Sequence, residues 1–431
     1  MILFKKKPHQ FSSIINPSEK FDYLFAACLA LAPLCFLSIR GWTNSFFILL
    51  IILSFYKIIQ NYNIIFIVKK NSTAAWLIIA LASSFISILL TQVLRNRLHI
   101  NLMDGPLRPF LAIIIFIYLL TKNIDFVRTL EWSAPLSLII LGAFLFVYPY
   151  EFVNIPSERF GTTAVDPLTL GQYSTLLGFI CLFTFNLYGN DKPTLQLLKL
   201  IGILVAVWIS IGTASRSGWV AVPFLLLIWV VKVQRVRQPR QLILALAGFG
   251  ALGVMVYGFM PVVHERIAQA VTEYIAYFHG GAHDTAAGIR LSMLRAAGTL
   301  FWSQPWTGYG DAHYPAFSSI PAIAPFNTPV LEFTMVNSGV HNEIMQSALR
   351  SGIFGLVSSI LMFVVPAVVF YRGCDSTIPS VRAAGLVGLC YIVAVFCFGL
   401  STETFNLKYT VSFYALMVSV LAAQVLRPQP V

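Results

Sequence analysis

Charge is what this chain has least of. Only 11% of its 431 residues are Asp, Glu, Lys or Arg, against 58% hydrophobic, and mean hydropathy is +0.78. A soluble domain cannot cover itself with so few charges, whereas a polytopic helical membrane protein has this composition. Acidic residues are the scarcest, 17 against 29 basic ones. Neither a D-x-D pair nor an H-E-x-x-H occurs, so the common frames for a catalytic metal are missing. Cysteine is also sparse. Of Cys28, Cys35, Cys181, Cys374, Cys390 and Cys397, all but Cys374 fall in apolar stretches, and no C-x-x-C is present. Neither a disulfide framework nor a thiolate metal site is implied, and buried Cys serves as a small apolar residue. No A-x-A-like site follows the first apolar stretch, which therefore reads as a retained helix rather than a cleaved signal.

What is present is a series of apolar stretches long enough to cross hydrocarbon, about 20 residues each. They lie near 21–39, 43–60, 74–93, 109–121, 132–150, 167–188, 195–213, 217–233, 241–260, 350–371, 382–400 and 408–426, twelve in all. The expectation is an all-α polytopic membrane protein, one domain over 1–431. With the N-terminus inside, eighteen of the 29 basic residues face the cytoplasm, Lys5, Lys6, Lys7, Lys69, Lys70 and Lys199 among them. This follows the positive-inside rule. The net charge of +12 is scattered through short loops, which fits orientation in an anionic-lipid membrane and not nucleic-acid binding.

The two basic residue types divide unequally. Eleven of twelve lysines fall on the inner side, but ten of seventeen arginines fall on the outer side: Arg40, Arg95, Arg97, Arg108, Arg159, Arg216, Arg266, Arg290, Arg295 and Arg350. Arginine's planar fork matches phosphate oxygens in a bidentate way that lysine does not. An outer face that grips a phosphate-bearing substrate accounts for the division. The outer carboxylates, such as Glu151, Glu158, Glu273, Asp311 and Glu403, are dispersed, which favours charge neutralisation by arginine over a metal.

One connection is unlike the others. The eighty residues 261–340 join the ninth and tenth spans. Val263, Ile267, Ala270, Val271, Tyr274 and Phe278 recur at helical spacing, with His264, Glu265, Gln269 and Glu273 on the other face, which predicts an amphipathic helix ending at Gly280-Gly281. A second helix is expected over 285–301, then a turn over Gln304-Pro305-Trp306-Thr307-Gly308-Tyr309-Gly310. A long loop with its own helices is commonly functional. Its aromatics, Tyr309 among them, suit either a membrane-interface belt or a sugar-stacking surface.

Within this frame, Arg216 stands in Gly212-Thr213-Ala214-Ser215-Arg216-Ser217-Gly218, squeezed between two apolar spans. A guanidinium there either snorkels to the interface or binds an anion beside a helix start for which Ser215 is the candidate N-cap. Arg290 and Arg295, five apart on the second loop helix, point to different faces. Arg290 is the nearer to the Gly-rich start of that helix and is preferred. His341, at the entrance of the tenth span, can accept a proton from a sugar hydroxyl, with Asn342 and Glu343 able to orient it. His279 and His283 are four apart and leave a metal site open as a lesser reading. Arg159, Arg266 and Arg295 are the further arginines assigned to substrate binding, with Asn342 and Tyr309.

Three stretches then make the chain resemble the bacterial O-antigen ligase family. His341-Asn342, nine residues, then Gly352-Ile353-Phe354-Gly355 matches an H-[NSQ]-x9-G-x-x-G pattern, shared with protein O-oligosaccharyltransferases. Ser215-Arg216-Ser217-Gly218 looks like the family's S-R-G segment, with Ser217 for Gly. Gln304 to Gly310 resembles N-P-x-x-G-Y-G, with Gln304 for Asn. The resemblance implies a GT-C-like fold of about twelve membrane helices, a large helical periplasmic loop between helices 9 and 10, and a place in the bacterial inner membrane. It implies a metal-independent glycosyltransferase without cofactor. O-polysaccharide would move from undecaprenyl pyrophosphate to lipid A–core, with Arg216 and Arg290 on the pyrophosphate and His341 as base or orienting group. Membrane lipids are the other partners.

Three rivals differ by sequence features. O-antigen polymerases, which use the same donor, typically carry R-x10-G motifs, and no outer Arg here has a Gly eleven residues on. Protein O-oligosaccharyltransferases usually have a longer C-terminal part. A polysaccharide-lipid transporter would more often show mid-membrane charges and repeated halves.

Overall fold

The computed structural model describes residues 17–60, 71–147, 159–162, 164–310 and 313–428. Lys5, Lys6, Lys7, Lys69, Lys70, Glu151, Glu158, Asp311 and the end of the 132–150 stretch lie outside the described residues. Every regular element among the described residues is helical. The chain is a multi-pass membrane protein. Ahead of the long loop run α1 (Pro17–Cys35), α2 (Trp42–Gln60), α3 (Ser72–Leu94), α4 (Asp104–Leu119), α5 (Phe126–Val147), α6 (Pro167–Thr184), α7 (Pro193–Gly212), α8 (Arg216–Val233) and α9 (Pro239–Phe259). The loop carries α10 (Pro261–Gly280), α11 (Ala286–Ser303) and α12 (Pro329–Ser338). After it come α13 (Glu343–Gly373), α14 (Pro379–Gly399) and α15 (Lys408–Leu426).

Ten of these helices are long and apolar enough to cross a membrane, not the twelve expected. The other two expected spans fall on α1, whose apolar run Phe21–Cys35 is short, and on α6. Helix α6 owes its lower hydropathy to polar residues. It carries Thr169, Gln172, Tyr173, Ser174 and Thr175, all buried against protein instead of lipid. Helices α14 and α15 are likewise central, 83% buried, whereas no residue of the α9 span is buried. The short fourth stretch is lengthened at its start, where α4 begins at Asp104 and a preceding turn carries it back to Ile100.

Lys199, read as an inner-side loop residue, is instead inside α7 and fully buried. Its Nζ reaches Glu131 Oε1 at 2.9 Å, Asp191 Oδ2 at 2.7 Å and the Thr184 carbonyl at 2.7 Å. A buried ammonium persists only when so compensated. All six thiols are buried and unpaired.

The loop helices form as the periodicity predicts. Helix α10 stops at Gly281, which takes the left-handed conformation (φ +78°) open to glycine. Thr285 caps α11 by accepting from the Gly288 N–H at 3.1 Å. A separate apolar cluster of Met293, Ala297, Leu300, Tyr309, Phe317, Phe326, Met335 and Leu349 fastens the loop to α13.

Candidate functional site

Two glycine motifs far apart in sequence interlock at the head of α13. The helix breaks at Ser351 and Gly352, and Gly352 adopts φ +59°. That break opens the backbone to the 305–310 turn. Tyr309 N–H donates to the Leu349 carbonyl (2.7 Å), Gly310 N–H to Arg350 (3.1 Å), and Ile353 N–H to Pro305 (2.7 Å). Only glycine fits. A Cβ on Gly308 would sit 2.4 Å from the Leu349 oxygen, and one on Gly352 2.5 Å from the Pro305 oxygen. Arg95 seals the seam, donating to the carbonyls of Thr307 and Arg350.

A second seam builds the Arg216 turn. Ala214 takes φ +48°, so the carbonyls of Thr213 and Ala214 turn away from α7 and are available to guanidinium groups. Arg159 Nε donates to the Thr213 carbonyl at 2.7 Å. Arg266, from α10, donates to the Ala214 carbonyl at 3.3 and 3.4 Å. Arg216 Nη1 donates to the Arg266 carbonyl at 3.2 Å. Ser215 occupies the N-cap position, yet its hydroxyl does not cap. It bonds to the Leu168 carbonyl and to Ser217. Gly171 of α6 leaves the space for this turn, since a Cβ there would meet Thr213 Oγ1 at 2.3 Å.

Glu273 joins the two helices of the loop to the turn. Its Oε2 accepts from the Ala287 N–H at the start of α11 (2.8 Å) and lies 3.9 Å from Arg216 Nη2. Its Oε1 accepts from Gln269 (2.8 Å). Arg290, one turn into α11, is partly buried, and its guanidinium bonds to no described residue. Burial, then the repulsion of Arg216 and Arg266, works against its positive charge, relieved in part by Glu273. Arg159 is strained in the same way by burial and by Arg266, Arg216 and Arg290, with Asp166 opposing. Four guanidinium groups thus share one neighbourhood with two carboxylates, an excess of positive charge that calls for an anion.

His341 borders this cluster. It holds φ +52°, unusual for a residue with a side chain. Its imidazole makes no hydrogen bond among the described residues. Burial first, and Arg290 second, lower its proton affinity below the ordinary histidine value. Asn342 caps α13, accepting from Met345 N–H at 3.0 Å and donating to the Leu400 carbonyl at 3.3 Å. Both polar atoms of its side chain are thereby engaged in holding the turn.

Of the residues the sequence nominated, Arg159, Arg216, Arg266, Arg290 and His341 are brought together, with Asn342 beneath. Arg295 is not with them: it is exposed and stacks on Phe326, 4.5 Å from the ring centre. Tyr309 is buried against Tyr314 in the loop's own core. Arg108 is spent on Asn44, Ser412 and Asp104. His279 bonds its own helix at Ile275, and His283 packs edge-on to Tyr277. No group of three or more metal-ligating side chains occurs among the described residues. The sequence reading passed over Glu273, although its place four residues after Gln269 on the polar face of α10 was visible. It also passed over Glu403, whose partner His341 lies about sixty residues away.

Residues 201–360 match the family model described as O-antigen ligase. That segment contains the Gly308–Gly310 turn, Gly352, Arg216, Arg266, Arg290 and His341, but not Arg95, Arg159 or Gly171, which complete the two seams. The chain is also similar to a Haemophilus influenzae protein described as uncharacterized, 22% identical over 315 residues, covering 71% of this chain and 75% of that one.

Proposed function

We propose that this chain, which carries an O-antigen ligase-family domain over residues 201–360, transfers O-polysaccharide from undecaprenyl pyrophosphate to lipid A–core at the outer face of the inner membrane. An O-antigen ligase or polymerase type of activity follows from the family. The choice of ligase, the donor, the acceptor and the periplasmic face are this reading. The observation that carries it is Arg290: a partly buried guanidinium bonded to no described residue, set among Arg216, Arg266 and Arg159 and beside His341. An unpaired buried cation is costly, and a diphosphate would offset that cost.

The chemistry is a displacement at the donor's anomeric carbon. The bond from that carbon to the pyrophosphate oxygen breaks, and a bond to the acceptor hydroxyl oxygen forms. A ring nitrogen of His341 takes the hydroxyl proton, and undecaprenyl pyrophosphate departs with the bonding electrons. Arg216 and Arg290 stabilise the growing charge on the leaving oxygens, as fixed donors do in a water-poor site. Depressed proton affinity keeps His341 neutral near pH 7, the form that can act as a base. Both substrates are lipids, which accounts for a site where α8 and α13 meet the loop helices. No residue in this scheme requires a metal.

The test is transfer from lipid-linked glycan by purified protein, in excess chelator, with three acceptors in parallel: lipid A–core, a second lipid-linked glycan, and a peptide. Product on lipid A–core alone is expected. Elongation of lipid-linked glycan would make the protein a polymerase, and loss of activity restored by a divalent ion would overturn the metal-free scheme.

A further inference from the structure

The turn that presents His341 is held from outside its own helix. Gly339 (φ +78°) and His341 (φ +52°) both take left-handed conformations. His341 cannot do so comfortably, so a neighbour must stabilise it. That neighbour is Glu403, on the loop between α14 and α15. Its Oε1 accepts from the His341 N–H at 3.2 Å, and its Oε2 accepts from Asn406 Nδ2 at 3.0 Å. The carboxyl fills the space over Gly339, where a Cβ would come within 1.9 Å of Oε1. Two further bonds run between the same segments: Asn342 Nδ2 to the Leu400 carbonyl (3.3 Å), and Phe405 N–H to Glu343 Oε2 (2.8 Å). Thr402, on the same loop, accepts from Gln172 Nε2 (3.3 Å), which also bonds to Ser217 (3.0 Å), next to Arg216. The loop over 400–406 therefore ties the histidine turn to the arginine turn.

We propose that Glu403 is a positioning residue for glycosyl transfer: its ionised carboxylate fixes the Gly339–His341 turn and so sets the imidazole against the arginine cluster. This rests on the ligase reading of the site. The charged form matters because two N–H donors converge on the carboxylate, one on each oxygen, and a protonated carboxyl gives up part of that accepting capacity. The groups facing it pull in opposite directions. Burial and the nearby Glu343 carboxylate raise its proton affinity, while Arg350, the His341 N–H and Asn406 lower it, leaving its pKa at about 7. Protonation near neutral pH then loosens the turn.

The experiment compares wild type, Glu403→Ala, Glu403→Gln and His341→Ala in the transfer assay across pH 5.5–8.5, with a thermal melt on each. Glu403→Ala is expected to lose ~10- to 100-fold in kcat, the scale of a misplaced catalytic group, with KM for the lipid-linked donor little changed. Glu403→Gln keeps an accepting oxygen and no titration. As a neutral mimic of the protonated carboxyl, it is expected to show the reduced kcat of protonated wild type at every pH, with the limb near pH 7 gone and only the fall where His341 itself protonates remaining. Wild-type kcat in Glu403→Ala, or a wild-type pH profile in Glu403→Gln, would overturn the proposal. If the alanine variant does not fold, the glutamine profile decides. Full activity in His341→Ala would instead sink the underlying reading of the site, and this proposal with it.

Discussion

Arg216 and Arg266 hold each other's turn. The Arg216 guanidinium donates to the carbonyl of Arg266 at 3.2 Å, and the Arg266 guanidinium returns to the carbonyl of Ala214, two residues before Arg216. Two positive side chains are thereby fixed side by side without neutralising each other. Among the described residues, carbonyl dipoles, Gln269 and the 3.9 Å pair with Glu273 are what offset them. Preorganised donors of this kind meet developing charge without reorganising first.

Arginines inside and outside this cluster should respond differently. Arg266→Ala removes a charge and unpins the Arg216 turn, so kcat/KM should fall ~10²-fold or more. Arg295→Ala removes only a stack on Phe326, worth about 0.5–1 kcal/mol at an exposed site, and should leave kcat/KM within ~3-fold. Steady-state kinetics on both variants check this, and equal losses would dissolve the distinction.

Glu273 acts as the resident counter-ion. Glu273→Gln keeps an acceptor for the Ala287 N–H but removes the negative charge near Arg216. Donor binding should tighten by a few fold or more, because a charge pair at 4 Å contributes ~1 kcal/mol in bulk water and more in a water-poor site. The measurement is KM for the lipid-linked donor at fixed acceptor. A weaker donor interaction would mean that Glu273 serves mainly to anchor α11.

The sequence made much of this legible. Helical spacing with the Gly280-Gly281 stop located α10, and turn-rich flanks bounded α11, each within a few residues of where it lies, although most of α10's apolar face, Ile267, Val271, Tyr274 and Phe278, is exposed. The motif positions also proved structural in a way pattern alone does not convey. The Gly308–Gly310 turn and Gly352 are partners across one seam, joined through Leu349, Arg350 and Pro305. What stayed hidden were contacts between distant segments. Arg95 reads like any outer arginine until its acceptors at Thr307 and Arg350 are known. Glu403 reads like a scattered carboxylate until His341 is found 3.2 Å away. Length and overall apolarity put α6 among the expected spans, but did not show that Thr169, Gln172, Tyr173, Ser174 and Thr175 pack inside the protein.

The glycine seam should be intolerant of a methyl group. Gly352→Ala meets the Pro305 and Trp306 backbone at 2.5 Å and must hold φ +59°. A positive φ with extended ψ (φ +59°, ψ −144°) is nearly confined to glycine and costs on the order of 1–3 kcal/mol, and the clash adds to it. A lower melting temperature and faster proteolysis within 303–313 are expected. Unchanged protection of that turn would show that the seam does not hold the loop.

Glu403 also carries a pH signature in stability. Its folded pKa of about 7 lies above the ordinary carboxylate range. The contribution is fully present below the unfolded pKa, near 4.3, and is lost as pH rises through 7. The melting temperature of the purified protein should therefore decline between pH 5 and 8 more steeply in wild type than in Glu403→Gln. Parallel curves would contradict a raised pKa. Ionisation thus costs stability in the pH range where the carboxylate is proposed to serve the reaction.

The account depends most on an unpaired guanidinium awaiting a diphosphate. The direct measurement is single-turnover transfer of glycan from undecaprenyl pyrophosphate to lipid A–core by folded Arg290→Ala, with release of undecaprenyl pyrophosphate followed in the same reaction. The account predicts that both product and release fall together by ~10²- to 10³-fold, the loss expected on removing one preorganised donor from a developing oxyanion. A rate within a few fold of wild type would contradict it.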